Sequence, residues 1–431
     1  MLIPQGYKQT EIGIIPEEWQ VKNFYMCFNF LSNNTFSRNN LNFIKGSIKN
    51  IHYGDILTKF SNIINIKKEK LPFINEGIII RNTETFVNNG DIIFADTAED
   101  YTVGKAIEVV GIENQKVVSG LHTIHCRLTN LVNFSSGWLG YYLNSKYYHD
   151  QLLPYITGIK VSSISKSSIK KTSILLPPLK EQSNIVKIIS DMDSLIFSMQ
   201  KLIDKKKDIK QGVMQELLTG KRRLPGFNGK WVKKRLGDIG FTYTGLSGKN
   251  KNDFQQGNAM YIPFLNILNN PIIDVNDFEI VNINDNEKQN KVLKGDLLFN
   301  NSSENPEEVG ICSLLDDTVD NLYLNSFCFG YRLKDENISG LYLSYYFRSN
   351  LGRMLMIKLA QGITRYNLSK SKFLSSTILL ANTFEEQKAI ASILFDMDKE
   401  IKSLENKKIK YEKIKQGMMQ ELLTGRIRLL D

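Results

Sequence analysis

Apolar residues at Ile185, Ile188, Met192, Leu195, Met199, Leu202, Ile209 and Val213 alternate steps of three and four, with Lys206 as the one polar interruption. That spacing is a heptad seam, and it predicts one long helix beginning just after Pro177-Pro178. A second seam runs through Ile390, Ile393, Met397, Leu404, Tyr411, Ile414 and Met418, with Glu400 and Lys407 as its exceptions. Each helix should span roughly 35 to 40 residues, or about 50 to 60 Å at ~1.5 Å per residue. A helix that long with one apolar stripe needs a partner, and the other copy is the obvious one. Both patterns stop at Thr-Gly (Thr219-Gly220 and Thr424-Gly425), where glycine suits a left-handed cap.

Elsewhere the period changes. Short runs rich in Ile, Val and Phe at 77–81, 91–94, 106–110 and 123–128 are bounded by Asn, Gly and Asp and predict strands. Helical patches fall near 138–153 and 341–359. The fold class expected is α/β (α+β), with two mixed α/β globules at 1–176 and 223–381 and long helices at 177–222 and 382–431. Those helices would join the two globules.

The two halves repeat. KQGVMQELLTG at 210–220 returns as KQGMMQELLTG at 415–425, ten of eleven residues identical and 205 positions on. At the same offset Asp191-Met192-Asp193 faces Asp396-Met397-Asp398, and Glu181-Gln182 faces Glu386-Gln387. Gly90-Asp91-Ile92-Ile93-Phe94 likewise faces Gly295-Asp296-Leu297-Leu298-Phe299. Between these anchors the halves share little. A common frame with two different inserts implies one task performed on two different targets.

Composition narrows the task. No apolar run is long enough to span a bilayer, and the first residues lack the pattern of a signal peptide, so a cytoplasmic protein without a membrane partner is expected. Cys27, Cys126, Cys312 and Cys328 follow no disulfide or zinc spacing. A net charge of +10 favours a polyanionic partner, because each cation set on a phosphate releases a counterion.

Candidate contacts lie in loops. Thr157, Gly158, Lys160 and Ser162 in the first half face Gln361, Gly362, Thr364 and Arg365 in the second. Glycine permits close backbone approach to phosphate, and a cation can bind phosphate or guanine. A second loop follows each Gly-Asp strand: Asp96 and Thr97 in one copy, Asn300, Asn301, Ser302 and Ser303 in the other. Amide and hydroxyl side chains there could read base edges, while the acidic first loop would accept from cytosine amines or play a structural role. His122 lies near the first of these surfaces, and His122-x-x-His125-Cys126 is not expected to bind metal, since residues three apart on a strand point to opposite faces.

In order, Ile15-Pro16-Glu17-Glu18-Trp19, Gly90-Asp91-Ile92-Ile93-Phe94, Val103-Gly104-Lys105, Leu175-Leu176-Pro177-Pro178 and the doubled Gln-Glu-Leu-Leu-Thr-Gly resemble the specificity subunits of type I restriction-modification systems. The resemblance covers essentially the whole chain. It implies a non-catalytic protein whose two target-recognition domains each read half of a bipartite double-stranded DNA site. It also implies that the helices form an antiparallel coiled coil, giving the chain a pseudo-twofold internal repeat, which sets the spacer and docks two methyltransferase subunits. Those subunits bring S-adenosylmethionine, and restriction subunits add ATP and Mg chemistry, so no cofactor is expected on this chain. The repeated tag is then a packing or methyltransferase-docking element through Gln211, Met214, Gln215 and Leu218, and through Gln416, Met419, Gln420 and Leu423.

An autonomous methyltransferase would need a glycine-rich cofactor loop and an Asn/Asp-Pro-Pro-Tyr/Phe tetrad, and neither occurs. No P-loop occurs either. The remaining alternatives are a two-domain coiled-coil scaffold that binds proteins only, and a specificity subunit serving a methylation-only complex.

Overall fold

A computed structural model describes residues 3–78, 86–284 and 286–430. The chain forms two compact units, residues 1–199 with 407–431 and residues 200–406. The boundary therefore cuts through the middle of both long helices instead of falling near 176, 222 and 381. Each unit combines one globule, one half of its own helix and the opposite half of the other copy's helix.

The helices are Leu179–Leu217 and Phe384–Leu422, 39 residues each. Within the first unit they run antiparallel, since Asp193 pairs with Lys415 at 2.5 Å and Glu181 with Arg428 at 2.7 Å. Within the second unit the same arrangement pairs Lys210 with Asp398 at 2.5 Å, Lys206 with Glu400 at 2.7 Å and Arg223 with Glu386 at 2.6 Å. Left-handed Gly220 and Gly425 end the helices, and the N–H groups of Arg222 and Ile427 turn back to the carbonyls of Glu216 and Glu421.

The buried seam differs from the expected one at every second position. Ile189, Ile203 and Ile401 turn inward, whereas Leu195, Leu202 and Ile209 are exposed. Leu202 is 41% exposed and its neighbour Ile203 1%, so the line is shifted by one residue. Adjacent apolar pairs, Ile188-Ile189, Leu195-Ile196 and Leu202-Ile203, satisfy either line in the sequence. Packing selects between them, and nearest the globules Ile189 and Leu394 join the two cores. Lys210 and Lys415 occupy seam positions because each meets an aspartate there, and each aspartate also accepts a tyrosine hydroxyl at 2.8 Å, Tyr345 to Asp398 and Tyr141 to Asp193.

In the first unit a five-stranded sheet has the order Phe28–Leu31, Thr123–Leu128, Ile92–Ala95, Ala106–Val110, Ile63–Asn65, antiparallel except for the last pair. A four-stranded sheet of Val117–Ser119, Lys49–Ile51, Phe73–Ile74 and Leu41–Asn42 adjoins it. The second unit has a fully antiparallel sheet of Gly240–Thr244, Cys328–Leu333, Leu297–Asn300 and Cys312–Leu314. It also has a three-stranded sheet of Glu279–Val281, Phe254–Ile262 and Leu322–Leu324. The strands expected at 91–94, 106–110 and 123–128 are present, while residues 79–81 of the run at 77–81 lie outside the described residues. Each helical patch is two helices, because Ser145 and Ser349 interrupt it and cap the second helix by accepting from the N–H groups of Tyr148 and Gly352.

The repeated tag closes each globule. Leu422 and Leu423 enter the first core beside Ile15, Trp19 and Trp138, and Leu217 and Leu218 enter the second beside Tyr342 and Ile390. Leu218 and Leu423 are thus not docking residues: burying them removes apolar surface from water and leaves nothing to offer a partner. Met214 and Met419 pack partly against the same cores, so of the eight residues expected to dock Gln211, Gln215, Gln416 and Gln420 are the exposed ones. All four cysteines are free and buried.

Candidate nucleic-acid interface

One backbone frame occurs in both units. In the first, the strand Ile92–Ala95 leaves its sheet at Asp96, whose N–H donates to the His122 carbonyl at 3.1 Å and whose carbonyl accepts from Ile164 N–H at 2.8 Å. In the second, Asn301 N–H donates to the Phe327 carbonyl at 2.8 Å and the Asn301 carbonyl accepts from Leu368 N–H at 2.9 Å. Thr97–Ala98 then pairs antiparallel with Ser162–Ser163, and Ser302–Ser303 with Tyr366–Leu368. The two loops of each half, some sixty residues apart in sequence, therefore meet at one sheet edge.

A hairpin stands on that edge in each unit. Thr157 and Ser163 exchange two backbone hydrogen bonds of 3.1 and 2.8 Å, and Gln361 faces Asn367 across the other ladder. Gly158 and Gly362 open the two tips at φ of 112° and 135°. A Cβ at either would lie 2.0 Å from a carbonyl oxygen, that of Val161 or Arg365, so both tips need glycine. Lys160, Val161, Thr364 and Arg365 are exposed on them.

On this shared frame the side chains differ. His122, at φ 55°, holds Nδ1 3.4 Å from Asp96 Oδ1 and from Thr97 Oγ1. Its ring meets Tyr53 edge-on at 5.2 Å, and His52 lies against the same tyrosine at 4.7 Å. Tyr53, Thr97, Glu99, Asp100, His122 and Val161 line a cavity of about 540 Å³. At the matching place in the second unit, Phe327 lies 5.0 Å beneath the Arg365 guanidinium, whose Nε donates to Ser302 Oγ at 3.2 Å. One surface offers carboxylates and imidazole, the other a guanidinium on an aromatic ring.

Three expected base readers turn inward. Asn300 is fully buried, donating to the Glu308 carbonyl at 2.9 Å and accepting from Ile311 N–H at 2.6 Å. Ser302 and Ser303 are buried too, the latter donating to Glu308 at 3.1 Å. The loop 304–311, which the sequence does not place there, holds Asn300 and Ser303, whereas Ser302 accepts from Arg365 on the hairpin tip. Asn301 is half-buried, and its Oδ1 has no hydrogen-bond partner among the described residues. His125 points into the core, its Nε2 2.7 Å from Asp91 Oδ2, away from His122.

The Gly-Asp anchors prove structural. Asp91 accepts from Arg127 at 2.7 and 2.8 Å, and Asp296 from Arg332 at 2.7 Å through both oxygens. Burial alone would raise the Asp91 carboxyl, but hydrogen bonds from Arg127 and His125 outweigh it and hold the group below the usual carboxylate range. Gly90 and Gly295 supply the left-handed turn before each aspartate.

Sequence reading missed Tyr53, His52 and Phe327. His52 caps the helix Tyr53–Thr58 by accepting from Gly54 N–H at 3.1 Å. Burial, reinforced by the nearby Arg38, pushes its imidazole down to about 4, consistent with a neutral acceptor. A usable signal was present for one further feature: Ser165-Lys166-Ser167 recurs as Ser369-Lys370-Ser371. Each serine caps a short helix just after its hairpin, with the lysine as the first helical residue.

The likeness to known proteins follows the same frame. The type I restriction enzyme MjaVIII specificity subunit of Methanocaldococcus jannaschii is 27% identical, over 100% of this chain and 99% of its own length. The EcoKI specificity subunit of Escherichia coli is 23% identical over 42% of this chain and 40% of its own. The crystal structure of the type I S subunit from M. genitalium has the same fold at 12% identity, with a TM-score of 0.52, covering 94% of this chain and 96% of that one. The model for the type I restriction modification DNA specificity domain matches twice, at 16–208 and 228–413, so the chain belongs to that family.

Proposed function

We propose that each unit reads one half of a split double-stranded DNA site through the hairpin tip and the loop beside it. The observation that carries this reading is the frame common to both units, bearing Asp96, Thr97, His122 and Lys160 in one and Asn301, Phe327, Thr364 and Arg365 in the other. Equal backbones with unequal side chains suit one task on two sequences. The chain itself performs no chemistry in this reading. It acts in the cytoplasm, where two methyltransferase subunits bring S-adenosylmethionine and restriction subunits bring ATP and Mg. The exposed glutamines Gln211, Gln215, Gln416 and Gln420 are the part of the repeated tag left for docking.

The long helices act as the spacer. Lys206–Glu400 and Lys207–Glu405 pair across the two helices, so an insertion in one alone would misalign them. A matched heptad inserted in both adds about 10 Å, or about three base pairs.

Single-molecule methylome sequencing of a host carrying this gene and its neighbouring modification gene, beside a deletion of this gene alone, tests the reading. Loss of one split adenine-methylation motif on deletion is the expected result, and an unchanged methylome in an expressing host refutes it. Affinity of the purified complex should fall steeply between low and moderate salt, whereas a scaffold that binds proteins only would show no such slope.

A further inference from the structure

The two hairpin tips share one side chain besides glycine, and nothing among the described residues packs on it. The tips read Gly158-Ile159-Lys160-Val161-Ser162 and Gly362-Ile363-Thr364-Arg365-Tyr366. Ile159 is 103% exposed and Ile363 92%, and neither joins a hydrophobic core. Each follows a glycine in the left-handed region that admits no Cβ, so both tips hold the isoleucine in the same backbone setting. Isoleucine is also stiff at its first side-chain torsion, so little rotamer freedom is lost when it is inserted.

We propose that Ile159 and Ile363 are wedges, each pressed into a base step of its own half-site so that the step is partly unstacked. This rests on the DNA-reading function proposed above. What the tips share should serve what is common to both targets, the stacked duplex, while the positions that differ (Lys160 and Thr364, Val161 and Arg365) carry sequence. A fully exposed aliphatic side chain flanked by a cation suits DNA: the positive charge of Lys160 and Arg365 draws each tip to the duplex while the isoleucine leaves water among the bases. Unstacking a step is unfavourable by itself. Burial of the side chain, together with the larger protein surface that a bent duplex can wrap, offsets it.

The test uses the chain with its methyltransferase and duplexes carrying 2-aminopurine at successive positions of both half-sites. Fluorescence should rise at one step in each half. Ile159→Ala should abolish the rise in the half read by the first unit and leave the other, and Ile363→Ala should do the converse. Each should weaken binding roughly tenfold, while Ile159→Phe should restore the signal. Because both side chains are on the surface, alanine leaves the fold intact. Sequence-specific binding with no step that responds to either variant overturns the wedge and leaves the reading function standing. If thymine-to-uracil replacement at one position reproduces the alanine loss without a fluorescence change, the isoleucine touches a methyl group and the wedge is wrong. If the variants lose only association with the methyltransferase, the tips dock protein and the wedge is again wrong. Absence of any sequence-dependent binding defeats both proposals.

Discussion

The two units answer the same structural problem with different polar chemistry, and the difference is confined to particular layers. In the first, Glu181 accepts from Arg428 at 2.7 and 2.9 Å and also from Trp19 Nε1 at 2.9 Å. In the second, Glu386 accepts from Arg223 at 2.6 and 2.9 Å, but the Trp231 indole N–H has no partner among the described residues. Further out the divergence widens. All four histidines lie in the first unit, and its hairpin edge, proposed here to read DNA, carries Asp96, Glu99 and Asp100 where the second has Asn301 and Arg365. Divergence that grows from the helix base to the reading edge is what a scaffold with two separate targets requires. The base fixes geometry and tolerates little change, while the edge can vary side chains on an unchanged ladder.

The largest expected effect breaks the base. Arg223→Met leaves the buried Glu386 carboxylate without its cation and should destabilise the second unit by about 3–5 kcal/mol. Arg428→Met should cost the first unit about 1 kcal/mol less, because Trp19 still donates to Glu181. Denaturant titration followed by the fluorescence of Trp231, against a variant retaining only Trp19 and Trp138, separates the units. Equal losses would mean that the indole hydrogen bond contributes nothing.

Next comes the edge. Arg365→Ala should cost about 1–3 kcal/mol of discrimination and relax the half-site of the second unit alone, read as a degenerate position in the methylated motif. Relaxation in both half-sites would contradict the separation of the two readers.

Acid should then distinguish the units. His52 ordinarily titrates at 6.5 and is held at about 4 in the folded unit. The unfolded chain therefore takes up the proton first, so this contribution to stability is whole above 6.5 and declines as pH falls towards 4. The first unit should lose stability between pH 6.5 and 5 while the second, which lacks histidine, changes less. His52→Asn, which keeps a capping acceptor, should flatten that dependence in melting curves.

The smallest effect concerns the seam. Lys210→Met and Lys415→Met remove the cation from partly buried ion pairs but leave a tyrosine hydroxyl on each aspartate, and should each cost about 1 kcal/mol. A marked loss in one unit only would show that its aspartate–tyrosine contact depends on the lysine.

Sequence alone determined the duplication, the two long helices and their glycine caps, three of the strands and the paired loops that the structure brings to one sheet edge. These are local or periodic properties: a heptad, a glycine where φ must be positive, a β-branched run between turn residues. Tertiary structure decided the rest. Which of Leu202 and Ile203 faces inward depends on what packs against the helix, because the pair satisfies either line. Whether Asn300 reads a base or braces the loop 304–311 depends on where that loop lies, and no periodicity encodes this. The tag's Leu423 is a core residue because the last helix end closes the globule built from the start of the chain, and Leu218 because its helix end closes the globule that follows it. Contacts between residues hundreds of positions apart leave no local trace, so composition and spacing could mark the tag as shared without telling what it touches.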